Sequence, residues 1–151
     1  MLFDKVLHLL LGEGVDGLGK LEAGLGAPVL NDLVGAEALV RWVQEDGSMI
    51  VLASIGDYDT LVPGDVDTTA EVKFLSSCTY PDIELLLVGH HGSKKSTCDA
   101  WLDAIAPDAA IISVGYNSYG HPTEEALLRL TDAGMTVYRT DMQGNILITV
   151  D

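Results

Sequence analysis

Four side chains in this sequence have the types and spacing to do chemistry together: Asp65, His90, His91 and His121. Histidine nitrogens with a carboxylate oxygen suit zinc, and also manganese or iron, which tolerate oxygen better. Each falls at or just beyond the end of an apolar run: GD after TLV, HHGS after IELLLVG, and GHP after AAIISVG and its loop. The intervals between them each match about one strand–helix–strand crossover, so neighbouring strand tips would bring them together. Gly64 allows the tight turn that would present Asp65 at a tip. Taken singly, each has a plainer role. Asp65 reads as a turn or capping residue, His90 and His91 as surface-loop histidines before a glycine, and His121 as a loop residue between Gly120 and Pro122.

Other polar residues surround this set. Ser93, Lys94, Lys95 and Ser96 make a small cationic, hydroxyl-bearing loop that could hold a phosphate or phosphodiester oxygen. It reads equally well as a solvated turn in which Ser96 or Thr97 caps the next helix. Asn117, Ser118 and Tyr119 could line a pocket mouth. Cys98 lies close enough to HHGSKKST to stay open as a nucleophile. A serine hydrolase is not supported, because no GxSxG elbow is present. GLGKLEAGLG lacks both the preceding strand and the GK[ST] ending of a nucleotide-binding loop.

The elements that must position these residues are legible from about Ala36. SMIVLASI, GDYD and TLVP predict a strand, a turn and a second strand. Asp67 or Thr68 can cap a helix over 69–76. IELLLVG (83–89) predicts a buried strand, DAWLDAIA (99–106) a helix ended by Pro107, and AAIISVG (109–115) another buried strand. Pro122 fits the first turn of an amphipathic helix, TEEALLRLTDAG, stopped by Gly134. MTVYRT and NILITV predict a terminal hairpin around DMQG. This order gives an α/β layered structure. Residues 1–35, rich in glycine and without a firm period, read as irregular, with residues 36–151 as the domain proper.

Bulk composition sets the limits. A chain of 151 residues with 48% hydrophobic residues fits one domain with a real core. Its 23 acidic residues against 8 basic ones give a formal charge of −15, which argues against a passive DNA-binding module. A nuclease is less affected, since bound cations invert the local potential. Two cysteines make no disulfide framework. No signal peptide is evident and no segment approaches the ~20 apolar residues of a membrane span, so the chain as given reads as soluble.

At the candidate residues the sequence resembles a known family. LVPGDVDTTAEVKFL, IELLLVGHHGSKKST and APDAAIISVGYNSYGHPTEEALLRLTDAGMTVYRTDMQGNILITV are similar to the C-terminal metallo-β-lactamase-like domain of ComEC-type competence, or DNA-internalisation, proteins. The match runs from about Ser48 to Val150, and GD, HHGSxxS and NxYGHP in this order are together quite specific. The resemblance implies an αββα sandwich, here its C-terminal portion, with a site at one edge between two sheets. It implies up to two divalent ions, zinc or manganese, with Asp65 bridging them and His90, His91 and His121 in the same site. His91 and His121 are the favoured direct ligands, and with Asp65 the catalytic set. Ser93, Lys94 and Ser96 would face substrate phosphates, while Asn117 and Tyr119 would shape the rim. The implied activity is metal-assisted phosphodiester hydrolysis of DNA during uptake, in a larger protein with a membrane-embedded portion.

One departure matters. The family's first metal motif, an HxHxDH-like or HxxxDH-like cluster, does not precede Asp65, where the only histidine is His8. The chain is then expected to be a fragment or a degenerate copy with impaired activity. Two other readings follow: a non-catalytic structural or interaction domain, and a metallo-hydrolase of small phosphate esters. A missing first sheet would leave an apolar face for a partner to cover, a second copy of this chain among the candidates.

Overall fold

The structure, a computed structural model, describes residues 38–45 and 48–150. The irregular segment expected over 1–35, and His8 with it, lies outside the described residues. Six strands form one sheet in sequence order: β1 (Ala38–Glu45), β2 (Ser48–Ile55), β3 (Tyr58–Val62), β4 (Leu85–Leu87), β5 (Ala109–Ile112) and β6 (Thr136–Arg139). The first three pair antiparallel and β3 through β6 pair parallel. β1 adds a strand beyond those expected. The β2–β3 hairpin forms as its turn residues predict, with Gly56 at φ +59 and Ile55 opposite Tyr58.

Alternation along the strands divides the side chains between two faces. Ile50, Leu52, Leu61, Leu86, Ala110 and Ile112 point to one face, where they pack with helix residues Phe74, Trp101, Leu102, Ile105 and Leu130. Those residues belong to α1 (Thr68–Ser77), α2 (Asp99–Ile105) and α3 (Glu124–Asp132). Val51, Val62, Leu85, Leu87 and Ile111 point to the other face, where Ile146 and Ile148 from the chain's last residues pack on them. The architecture is thus α/β, one helix-backed mixed sheet. A second sheet, which a full αββα sandwich requires, is not among the described residues.

Local chemistry explains the helix limits. Asp67, not Thr68, caps α1, its carboxylate accepting from Thr69 N at 2.9 Å and Ala70 N at 3.0 Å. Neither Ser96 nor Thr97 caps α2; Cys98 occupies the cap position, with no side-chain capping bond. Pro122 stands just outside α3, whose cap is Thr123. The expected terminal hairpin does not form. After β6 the chain coils into a single turn, α4 (Thr140–Gln143), and 145–150 run without strand pairing. Gln143 Oε1 accepts the Arg139 N–H at 2.6 Å, and Thr140 Oγ1 both donates to Val114 O and accepts from Val114 N. Those bonds tie the turn down before a returning strand could start.

Candidate functional site at the strand tips

Parallel pairing puts the C-terminal ends of β3, β4 and β5 on one edge of the sheet, and three loops leave from there. The first turns at Gly64, at φ +61, where a Cβ would stand 3.1 Å from Met49 O. Asp65 follows it and is exposed. The second loop opens with a tight turn over Gly89–Gly92, in which His90 (φ 48, ψ 43) and His91 (φ 56, ψ 25) are consecutive left-handed residues. Such a conformation costs a non-glycine residue about 1–2 kcal/mol. The third loop, from Val114 to Pro122, carries His121.

Backbone bonds stitch the three loops side by side. His90 N donates to Gly64 O at 2.9 Å, joining the first to the second. Thr123 N and Thr123 Oγ1 both donate to Gly92 O, at 2.9 and 3.1 Å, joining the second to the third. At Gly92 a Cβ would meet Pro122 Cβ at 2.6 Å, so only glycine permits this approach. His91 Nδ1 donates to Ser113 O at 2.6 Å, which leaves its Nε2 lone pair available.

The histidines gather accordingly. Ring centroids of His90 and His121 are 5.7 Å apart, and those of His90 and His91 are 6.4 Å apart. Tyr119 lies nearly parallel to His121, at 6.1 Å and 21°. His121 Nδ1 is buried with no hydrogen-bond partner among the described residues. Desolvation, followed by the neighbouring His90 and His91, lowers the His121 pKa from its ordinary value and favours the neutral imidazole. Among the described residues, however, no three His, Cys, Asp or Glu side chains converge closely enough to hold one metal ion.

The residues expected to meet substrate divide into two groups. Lys94, Lys95 and Tyr119 are exposed. Ser96 is 0% exposed and donates to Gly89 O at 3.0 Å; Ser93 is also buried, its hydroxyl accepting from Lys95 N. Both hydroxyls shape the loop from inside. Asn117 is committed to its own loop, accepting from Tyr119 N and His121 N and donating to Gly115 O and His121 O. Burial pushes the Cys98 thiol above its ordinary value, and Cys98 forms no disulfide.

Two residues that sequence reasoning missed hold the second loop. Glu71, on α1 and 0% exposed, accepts from Thr97 N and from Cys98 N, the latter at 3.0 Å. Arg129, on α3, donates to Lys94 O at 3.2 Å and Ser96 O at 3.1 Å. In the sequence Glu71 looks like an ordinary first-turn acid and Arg129 like a surface cation. The one signal for Glu71 is its spacing of three and four residues from Phe74 and Leu75, which sets it on the apolar face of a short helix.

A mixed sheet backed by helices, with polar loops stitched along the edge where its parallel strands end, makes this an α/β module. Over about two thirds of its length the chain belongs to the ComEC-type competence proteins, corresponding to one segment of them. It is 36% identical over 107 residues to "Competence protein ComA" of Neisseria gonorrhoeae, covering 68% of this chain and 15% of that protein. It is 33% identical over 106 residues to "ComE operon protein 3" of Bacillus subtilis, covering 68% and 13%. With "Recombination protein 2" of Haemophilus influenzae the identity is 34% over 102 residues, covering 67% and 13%. The chain thus spans 13–15% of these relatives' own length. No protein-family model matches it. No helix among the described residues is long and apolar enough to cross a membrane.

Proposed function

We propose that this chain is the C-terminal half of a metallo-β-lactamase-like sandwich serving in competence, and that it carries part of a metal-dependent phosphodiesterase site for DNA. The observation that supports this best is the stitching of the three loops, which sets the Asp65 turn, the His90–His91 pair and His121 along one sheet edge. The orphaned Nδ1 of His121 and the open Nε2 of His91 have the chemistry of metal donors. The described donors do not by themselves make a complete site, since no three converge. What the chain's own residues contribute is a fixed His91 tautomer, a neutral His121 and two lysines on the neighbouring loop. In this reading the module works beside a membrane-embedded portion of a larger competence protein, with DNA as the substrate.

The same lack of convergence favours a second reading, a non-catalytic interaction domain that keeps the helix-backed sheet. Elemental analysis of the chain purified without chelator, beside an Asp65→Ala, His121→Ala double variant, separates the two. The hydrolase reading expects zinc or manganese at less than a full complement, lost in the double variant. Wild-type protein without metal, or metal retained equally by the variant, rejects it in favour of the interaction domain.

A further inference from the structure

Three residues that are not glycine take left-handed backbone between Gly89 and Cys98: His90 (φ 48), His91 (φ 56) and Thr97 (φ 56). Such conformations persist where the surroundings over-determine them, and a β-branched residue such as Thr97 adopts one least readily. What holds Thr97 is Glu71, behind the loop on α1. Its two carboxylate oxygens are divided between two amides: Oε1 accepts from Thr97 N and Oε2 from Cys98 N, the latter at 3.0 Å. Glu71, Ser96 and Thr97 are all buried, so neither bond is open to bulk water. Thr97 in turn holds the approach to the histidines. Its Oγ1 accepts from Gly89 N at 3.1 Å, while Ser96 Oγ donates to Gly89 O at 3.0 Å. The contact is close: a Cβ on Gly89 would stand 3.2 Å from Ser96 Cβ and 3.4 Å from Thr97 Oγ1. Both backbone groups of the residue before His90 are therefore fixed by the segment that Glu71 anchors.

We propose that Glu71 is a positioning residue for the His90–His91 turn, acting through Thr97. Thr68 and Arg129 hold the same loop at the carbonyls of Lys94, Lys95 and Ser96, ahead of Thr97. A carboxylate suits the place of Glu71 because it offers an acceptor to each of two amides. An amide side chain of the same shape has one acceptor, and its NH2 would meet the other N–H donor against donor. Release of Thr97 from its left-handed conformation would take Oγ1 away from Gly89 and leave a buried N–H unpaired. The turn would then lose the geometry in which His91 Nδ1 donates to Ser113 O at 2.6 Å, and with it the bond that fixes the tautomer. The use of a fixed tautomer rests on the donor role proposed above for His91, but the positioning needs no metal.

The test is long-range proton–nitrogen NMR of the imidazole rings in the full chain, in EDTA and in alkaline buffer where imidazoles are neutral. Wild-type His91 should show a protonated Nδ1 and a bare Nε2, with well-separated signals. Glu71→Gln should draw those two signals toward each other as the tautomers mix. It should also speed amide hydrogen exchange at Gly89 at least about tenfold, the scale of one lost hydrogen bond. Thr97→Val, which removes the acceptor, should do the same, whereas Thr97→Ser keeps the hydroxyl and should keep the wild-type pattern. Ile105→Val, a change in the buried core away from these bonds, should lower stability and leave the His91 signals apart. A folded Glu71→Gln protein with His91 unmoved overturns the proposal. So does mixing of equal extent in Ile105→Val, or a Thr97→Val protein indistinguishable from Thr97→Ser. Where a variant does not fold, wild type decides: slow exchange of the Gly89, Thr97 and Cys98 amides together supports the proposal, and fast exchange of any one overturns it. Metal-free wild-type protein with the His91 response intact defeats the hydrolase reading alone. Bound metal with His91 unmoved by Glu71→Gln defeats this proposal alone.

Discussion

Gly92 is where one methyl group would do most damage. Its φ of +82 is unfavourable to any side chain, and the added Cβ would lie 2.6 Å from Pro122 Cβ and 3.0 Å from Pro122 Cα. Strain and overpacking together should cost Gly92→Ala about 2–4 kcal/mol in urea unfolding. Gly120 is the control: at φ +77 with nothing within 4 Å of its Cβ position, Gly120→Ala should lose only about 1–2 kcal/mol. Equal losses would mean the second and third loops do not approach each other as described. His90 gives the converse prediction. A left-handed histidine is retained against its conformational cost, so His90→Gly should raise stability by about 1 kcal/mol while removing an imidazole from the cluster. A loss of stability would mean that His90 is held by contacts worth more than its strain. At this scale the sequence places Asp65, His90, His91 and His121 at strand ends, and the structure sets all four in loops along one edge of the sheet. The sequence does not separate Lys94 and Tyr119, which face solvent, from Ser93, Ser96 and Asn117, whose polar atoms hold the loops. A residue type reports what a side chain can bond, whereas its partners follow from loop geometry that no local periodicity encodes.

The helices act as clamps on the second loop, and Glu71 is the clamp with a measurable pH signature. Desolvation raises its pKa from the ordinary value, opposed by the amides of Cys98 and Thr97 and by the Arg129 guanidinium. A carboxyl whose folded pKa is raised contributes stability that is fully present below its unfolded value, near 4.5, and is lost as pH rises through the folded value. The difference in unfolding free energy between wild type and Glu71→Gln should therefore move in favour of wild type as pH falls from 7 toward that value. A difference independent of pH would show that Glu71 titrates normally and that its burial is relieved in solution. The strands and helices themselves were mostly legible in advance, because apolar alternation and capping residues such as Asp67 and Thr123 are local signals. β1 is not among the strands the sequence predicts, and the strand it predicts over 145–150 does not form. NILITV alternates as a strand should, and Ile146 and Ile148 do face the sheet, yet it pairs with no strand among the described residues. Alternation specifies which face is buried; a ladder also needs a neighbour with free backbone groups.

For the molecule as a whole, the proposed DNA reading sets the charge of −15 against the exposed Lys94 and Lys95, which pull in opposite directions on a nucleic acid. Their ranges differ. At about 0.01 M ionic strength the Debye length is roughly 30 Å, so a bound strand feels the repulsion of the whole protein. At about 0.15 M it is roughly 8 Å, and distant carboxylates are screened while direct lysine–phosphate contacts persist. Higher salt then weakens those contacts by counterion competition, with a slope of about −0.7 per phosphate on a log–log plot for single strands. Single-strand affinity should therefore pass through a maximum with rising salt instead of falling steadily, as it does for a basic protein. On the high-salt limb, Lys94→Ala with Lys95→Ala should flatten the slope by about 1.4 if each lysine neutralises one phosphate. The low-salt limb should survive that substitution, because it comes from acidic residues spread over the chain. Oligothymidine titrations across the salt range decide the matter: a monotonic fall from the lowest salt would mean that the acidic surface faces away from the strand, and an unchanged slope in the double variant would remove the lysines from the contact.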